Sequence, residues 1–268
     1  MIPMPRLGHY IEHADSLPGG GAYTHFCEPD EMAEFWEALM RKRMLAGFSG
    51  GSPFPRKAML KLVPPGKGTA MDEAAVRAMI ADWNVEGRKY PYAWLRVERG
   101  GDDESPLSKQ ELDSVCAQLQ TNGVVPGAIG DMLRRGDEAF LLADTREQEA
   151  LAKAFSALGL SSRPAAHFDP ETCAQDTHQS LSIPRLDAAV ARAFRIGREE
   201  AKKAVVKGFV AVNLRIVRDA SRAVEAGDVL HHLLSGAALI SDVQKAKAAD
   251  RHRLLVRIPS SAKILVRG

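Results

Sequence analysis

Residues 181–230 read LSIPRLDAAVARAFRIGREEAKKAVVKGFVAVNLRIVRDASRAVEAGDVL, and their spacing decides the fold of the last third of the chain. Leu186, Ala189, Val190, Ala193 and Phe194 recur at i, i+3, i+4, i+7 and i+8, which predicts a helix over 186–194 with one apolar stripe. Arg185 and Arg192 point away from that stripe and share the solvent face. A break at Arg195-Ile196-Gly197 separates this helix from a second one over 198–207. Ala201, Ala204 and Val205 form the inner side of the second helix, and Gly208 suits a left-handed stop. Arg198 and Lys202 stand at i, i+4, as do Lys203 and Lys207. Beyond Gly208 the pattern changes to period two. Val210 and Val212 share one face of a short strand that ends at Asn213. Gly227-Asp228 marks a turn before Val229 and Leu230. Two short helices therefore feed a small sheet. Cations occupy the outer faces of the helices and the next segment, at Arg215, Arg218 and Arg222.

This order resembles the RNA-binding domain first described in small-subunit ribosomal protein S4. That family's pattern is an Arg-Leu-Asp start, a basic second helix, a Gly-x-Val-x-Val-Asn strand and a Gly-Asp turn. Here these are Arg185-Leu186-Asp187, the helix from Arg198 to Lys207, Gly208-Phe209-Val210-Ala211-Val212-Asn213, and Gly227-Asp228. Order and spacing agree over about fifty residues. Gly197 stands where the family usually has Ser.

Net charge supports the same end of the chain. From Leu181 to Gly268 there are 17 Lys+Arg and 8 Asp+Glu, a net of +9. Subtracted from the whole-chain 36 and 34, this leaves 19 and 26 for residues 1–180, a net of −7. A basic end on an acidic body concentrates affinity for a polyanion, although a charge run by itself is as readily a solvated face. At 268 residues the chain can bury sizeable cores and is expected to form two or three domains. No apolar run approaches the roughly 18 residues a membrane helix needs, so no membrane partner is expected. The first 25 residues resemble neither a secretory signal nor an Arg-rich transit peptide. Cys27, Cys116 and Cys173 are scattered without zinc spacing and fit a reducing compartment.

Residues 1–25, with Pro3, Pro5, Pro18 and Gly19-Gly20-Gly21, read as irregular. A helix is expected from Pro29, with acids in its first turn and Arg41, Lys42 and Arg43 in its last. A strand is expected at 58–63, a helix at 72–83 and a strand at 92–97. Ser108 and Glu111 form a capping box that opens the next helix. A strand follows at 139–143, then a second capping box at Thr145 and Gln148. Strands alternating with helices argue an α/β or α+β body, preferably a small sheet with helices on one face. Residues 161–180 read as a linker. After Leu230, Leu254–Ile258 and Ile264–Val266 read as strands that either close the basic module or form an extension. The expected fold is thus α+β and multi-domain: small α/β domains at 1–86 and 87–160, the linker at 161–180, and the S4-type module with its extension at 181–268.

The wider arrangement resembles the YlmH family of bacterial and plastid proteins, whose S4 domain follows an amino-terminal and a middle domain. Phe48-Ser49-Gly50-Gly51 with Arg56-Lys57 partly matches the family's first-domain glycine motif. Gly130-Asp131-Met132-Leu133 is similar to its Gly-Asp-Ile-Leu motif. The family's Arg-Gly-x-Gly-Arg run is absent, and His231-His232-Leu233-Leu234-Ser235-Gly236 stands in its place.

Other strings point to less. Gly47-Phe48-Ser49-Gly50-Gly51 matches the G-x-S-x-G nucleophile elbow, but Pro53 and Pro55 leave no room for the helix that the elbow needs. A Gly-rich loop positioning Arg56 and Lys57 is the better reading. Pro65-Gly66-Lys67-Gly68-Thr69 lacks phosphate-loop spacing and reads as a surface turn. The adjacent pair His231-His232 cannot share a metal from one face of a helix or strand. No catalytic residue, metal or cofactor is assigned, and the chain is expected not to be an enzyme.

The RNA-binding candidates are Arg185, Arg195, Arg198, Lys202, Lys203, Lys207, Arg215 and Arg218. Asn213 either contacts RNA or simply ends its strand. Asp187 and Glu199 are expected at helix ends or in ion pairs, and Arg192 is left as a surface residue. The resemblance implies a ribosome-associated binder of structured ribosomal RNA. It implies transfer RNA and ribosomal subunit proteins as neighbours, in the cytoplasm or in a plastid or mitochondrial matrix. The alternatives are a constitutive component of an organellar ribosome, an RNA-modifying enzyme anchored by the basic module, and a protein–protein adaptor.

Overall fold

Among the described residues, all strand pairings are antiparallel, and the strands sort into three sheets. The computed structural model describes residues 6–83, 90–101, 105–181, 183–233, 235–245 and 252–259. The expected α+β class holds, and an element expected at 264–266 lies outside the described residues.

The first sheet has the order β1–β3–β2, from β1 (Ala22–Cys27), β2 (Leu45–Ser49) and β3 (Ala58–Leu62). Helices α1 (Leu7–Glu12), α2 (Pro29–Lys42) and α3 (Glu73–Ala81) accompany it. Pro29 occupies the first turn of α2, with Asp30 and Glu31 beside it and Arg41 and Lys42 in the last turn, as the helix dipole favours. Met32, Trp36 and Leu39 of α2 pack on Leu45, Phe48, Leu60 and Leu62.

The irregular stretch expected at residues 1–25 instead contains α1 and β1. The apolar code is hidden in β1 because Thr24 is buried there. Its hydroxyl donates to His25 O (2.7 Å) and accepts from Leu60 N (2.8 Å) beside a break in register. Strand β2 also escaped the sequence reading. It is buried on both faces, so its residues do not alternate.

The second sheet has the order β5–β6–β4–β7: β4 (Tyr92–Arg99), β5 (Ile129–Arg135), β6 (Glu138–Asp144) and β7 (Leu160–Pro164). Helices α4 (Lys109–Thr121) and α5 (Gln148–Ala157) supply Leu112, Val115, Leu119, Leu151 and Phe155 to its core. The Ser108/Glu111 capping box forms as expected. The one at Thr145/Gln148 does not. Asp144 takes over, accepting from Arg146 N at 2.9 Å, because a 3-10 turn over Thr145–Glu147 precedes α5. Asp144 also accepts from His25 Nδ1 at 2.7 Å, and Arg146 Nη1 donates to Tyr23 O at 2.8 Å, which ties β1 to β6.

The third sheet has six strands in the order β10–β9–β11–β12–β13–β8. They are β8 (Ala174–Leu181), β9 (Val210–Val212), β10 (Arg215–Ile216), β11 (Val229–His232), β12 (Gly236–Lys245) and β13 (His252–Pro259), and they carry α6 (Leu186–Ala193) and α7 (Arg198–Val206). The linker expected at 161–180 is corrected here. Its start belongs to β7, a 3-10 turn covers Pro170–Cys173, and β8 is the edge strand paired with β13 through eight residues, Ala174 to Leu181. Polar side chains such as Gln175, Asp176 and Ser180 lie on an exposed sheet edge, which gave this segment its loop-like composition.

The three sheets meet at residues 50–57. Phe54 is 1% exposed and packs with Leu133, Phe168, Cys173 and Leu239, side chains from the second and third units. Trp94 Nε1 donates to Gly51 O (3.1 Å), His231 Nε2 donates to Pro55 O (2.8 Å), and Arg56 N donates to Asp131 Oδ2 (2.8 Å). A Cβ on Gly50 would fall 2.2 Å from Pro55 Cβ and 2.5 Å from Lys57 O, so only glycine admits this fold-back. No nucleophile elbow forms, because the Ser49 hydroxyl is buried on the Tyr92 hydroxyl at 2.6 Å. Arg56 and Lys57 are turned inward rather than presented: Lys57 donates to Ile129 O at 3.1 Å and pairs with Glu28 at 3.1 Å.

Burial pushes the Asp131 carboxyl up to about 6, against the hydrogen bond from Arg56 N and the nearby cations. A raised folded-state pKa means that the contribution to stability is complete below the unfolded value of 3.8 and is lost as pH rises through about 6. Asp131→Asn removes this loss. Its stability relative to the parent is expected to rise by on the order of 2–3 kcal/mol between pH ~4 and ~7, read by urea denaturation at both pH values. A pH-independent difference would show that Asp131 stays ionised.

Candidate nucleic-acid interface

Helix α6 begins where the sequence predicts, and its free amide groups are met by the backbone. Leu186 N donates to Arg222 O (2.8 Å) and Asp187 N to Ala220 O (3.1 Å). Leu186, Ala189, Val190 and Ala193 face the core with Ala201 and Val205 of α7. Arg195 at φ 56 breaks the two helices apart, and Gly197 opens α7 without a side-chain cap. Helix α7 ends in a Schellman arrangement. Phe209 N donates to Ala204 O (2.8 Å), Gly208 N donates to Val205 O (2.9 Å), and Gly208 sits at φ +80. The Arg218 guanidinium lies against Gly208, where a Cβ would come within 2.8 Å of Nη1, and donates to Val206 O at 3.3 Å.

This architecture holds the outer faces of α6 and α7 toward solvent. Arg195, Arg198, Lys202, Lys203, Lys207, Arg215 and Arg218 are all exposed. Buried Asp187 accepts from Arg185 Nε at 3.2 Å and lies 3.5 Å from Arg198 Nε, so one carboxylate orients two arginines. Asp187 is therefore an ion-pair residue, as expected. Among the described residues, Arg195, Lys202, Lys203, Lys207, Arg215 and Arg218 make no ion pair. The acidic body reaches other cations instead, with Glu73 of α3 holding Arg222 at 3.0 Å.

Two candidates stand apart from the rest. Arg215 lies over the Trp36 ring at 5.7 Å, against the first unit rather than beside α7. Asn213 is withdrawn from the interface, because it is 1% exposed. Its side chain donates to Asp228 Oδ1 (2.8 Å) and accepts from Val229 N (2.9 Å) in a left-handed backbone at φ 51. Asn tolerates that conformation better than most residues. Asn213→Ala leaves buried Asp228 and Val229 N short of partners and is expected to cost about 2–4 kcal/mol in denaturant unfolding. RNA affinity of the folded fraction should be unchanged, and a selective loss of affinity would return Asn213 to the interface.

Arg192, expected as a surface residue, is exposed and lines an open groove of about 590 Å³ together with Arg195 and Arg198. Ala188 and Ala191 precede Arg192 and Arg195 at helical spacing on a face away from the main stripe. Phe209, 42% exposed, and Val206, 54% exposed, add apolar surface next to Gly208 and Arg218, on which bases can stack.

A two-helix unit with this face and a following sheet has a counterpart among known families. Residues 184–230 match the S4 domain. The chain therefore carries an S4 domain, which indicates RNA binding. No curated protein is significantly similar to the chain. The matched segment spans α6, α7, β9, β10 and the start of β11, whereas β8, β12 and β13 widen the S4 sheet beyond it. Among the described residues, no helix is long and apolar enough to cross a membrane.

Proposed function

We propose that this chain is a non-catalytic, ribosome-associated binder of structured ribosomal RNA, acting in translation, ribosome rescue or assembly. The observation that carries this reading is the solvent-facing set of cations on α6 and α7, held in place by the helix packing and, among the described residues, left unpaired by the acidic body. Guanidinium and ammonium groups so placed contact phosphates and release condensed counterions. Arg adds bidentate geometry and stacking. The shape of folded RNA and its 2′-hydroxyls supply the selectivity that phosphates do not.

The likeness to the YlmH family is supported by the order of units, with two small sheets carrying helices ahead of the S4 domain. On that likeness, the large ribosomal subunit and transfer RNA are the neighbours, and the site of action is the cytoplasm or an organellar matrix. The first two units then orient the basic end on the particle. Sedimentation of tagged protein through a sucrose gradient tests the proposal. Co-migration with ribosomal particles at low salt, lost at high salt and after nuclease treatment, is expected. Protein that stays at the top of the low-salt gradient would overturn it.

A further inference from the structure

The groove beside α6 is built from more than the matched S4 segment. Ala188, Ala191 and Arg192 come from α6 and Arg198 from α7, but Thr177 and Ile258 come from β8 and β13, which lie outside residues 184–230. Its volume of about 590 Å³ falls within the ~300–1,000 Å³ typical of ligand-holding clefts. Among the described residues, three arginines line it and no carboxylate does. Among the described residues, Arg192 and Arg195 make no hydrogen bond or ion pair through their side chains, so their donors are open to a ligand. The two alanines leave the groove without bulky side chains along α6, and Ile196 and Ile258 add apolar wall.

We infer that this groove holds an unpaired nucleotide segment of the bound RNA, with backbone phosphates on Arg192 and Arg195 and a base between Ala191 and Ile258. The inference rests on the RNA-binding reading above and names the form of RNA that completes the site. A duplex shows its phosphates on a convex surface, which suits the exposed cations of α7. An unpaired chain can bend into a concavity and present the face of a base to apolar walls. Arginine forks match phosphate oxygens with two parallel hydrogen bonds, which orients the chain along the groove.

The test is equilibrium binding of the full chain to a synthetic RNA stem–loop. The stem–loop is used blunt, with a single-stranded oligouridine flank on either end, and with that flank paired to a complementary strand. The expected result is an affinity about tenfold higher for a flanked RNA than for the blunt one, and loss of that gain when the flank is paired. Arg192→Ser and Ile258→Glu should each abolish the gain; with Ile258→Glu, which lies outside the cationic face of α6 and α7, blunt stem–loop affinity should stay at the wild-type level. Arg192 is exposed, so its replacement leaves the fold intact. Equal binding of blunt and flanked RNA by the wild type would overturn the groove assignment and leave the RNA-binding reading standing. A gain that survives in both variants would do the same. Failure of the wild type to bind any of these RNAs would overturn both.

Discussion

Reversing Arg198 and Lys202 to Glu is expected to lower affinity for structured ribosomal RNA by about 10- to 100-fold at low salt. The Arg198 side chain is 61% exposed, and Lys202 follows one turn later on the same exposed face of α7. Each phosphate contact contributes about 0.7–0.9 to the slope of log K against log salt, so losing two should flatten that slope by about 1.4–1.8. The added carboxylates repel the backbone further and account for the upper end of the range. The fold should survive, because Asp187 keeps Arg185 when Arg198 is lost. Filter binding at several salt concentrations reads both quantities. An unchanged affinity with an unchanged slope would remove α7 from the interface.

Phe54→Ala should produce the largest loss of stability in the chain, about 3–5 kcal/mol. Phe54 is almost fully buried, and its ring touches side chains from both neighbouring units, so the cavity cannot be closed by one unit relaxing alone. Against a total of about 5–15 kcal/mol, that is a third or more of the folded state's margin. The loss should appear in urea unfolding of the whole chain, and Phe54→Leu should recover more than half of it. Stepwise unfolding, in which only one unit melts earlier, would show that residues 50–57 do not couple the three sheets.

The S4 segment was legible because its helices are amphipathic and its punctuation is local. The stripe from Leu186 to Phe194, the stop at Gly208 and the turn at Gly227-Asp228 all needed only neighbours in sequence. Most of the cationic candidates were legible for the same reason, since helical spacing alone separates inner from outer faces. Asn213 was not, because its partners Asp228 and Val229 are 15 and 16 residues away and appear only when β9 and β11 pair. The groove was hidden too, since β8 and β13 come from opposite sides of the S4 segment and no local pattern joins Thr177 to Ile258. The junction at 50–57 read as a Gly-rich loop positioning Arg56 and Lys57. Its burial depends on Trp94, Asp131 and His231, which arrive from three distant strands.

The division of charge now has a structural meaning. Charged groups of both signs on α3 hold the flank of the S4 domain: Glu73 pairs with Arg222, while Arg77 pairs with Glu225 and, at 3.4 Å, with Asp228. These contacts fix the basic module on its body without covering α7. The measurement that tests this account most directly is ultraviolet cross-linking of the full chain to ribosomal RNA, with the attached peptides mapped by mass spectrometry. The account predicts cross-linked nucleotides on the exposed residues of α6, α7 and the Val206–Arg218 segment. Cross-links confined to residues 1–160, with α6 and α7 unmarked, would contradict it.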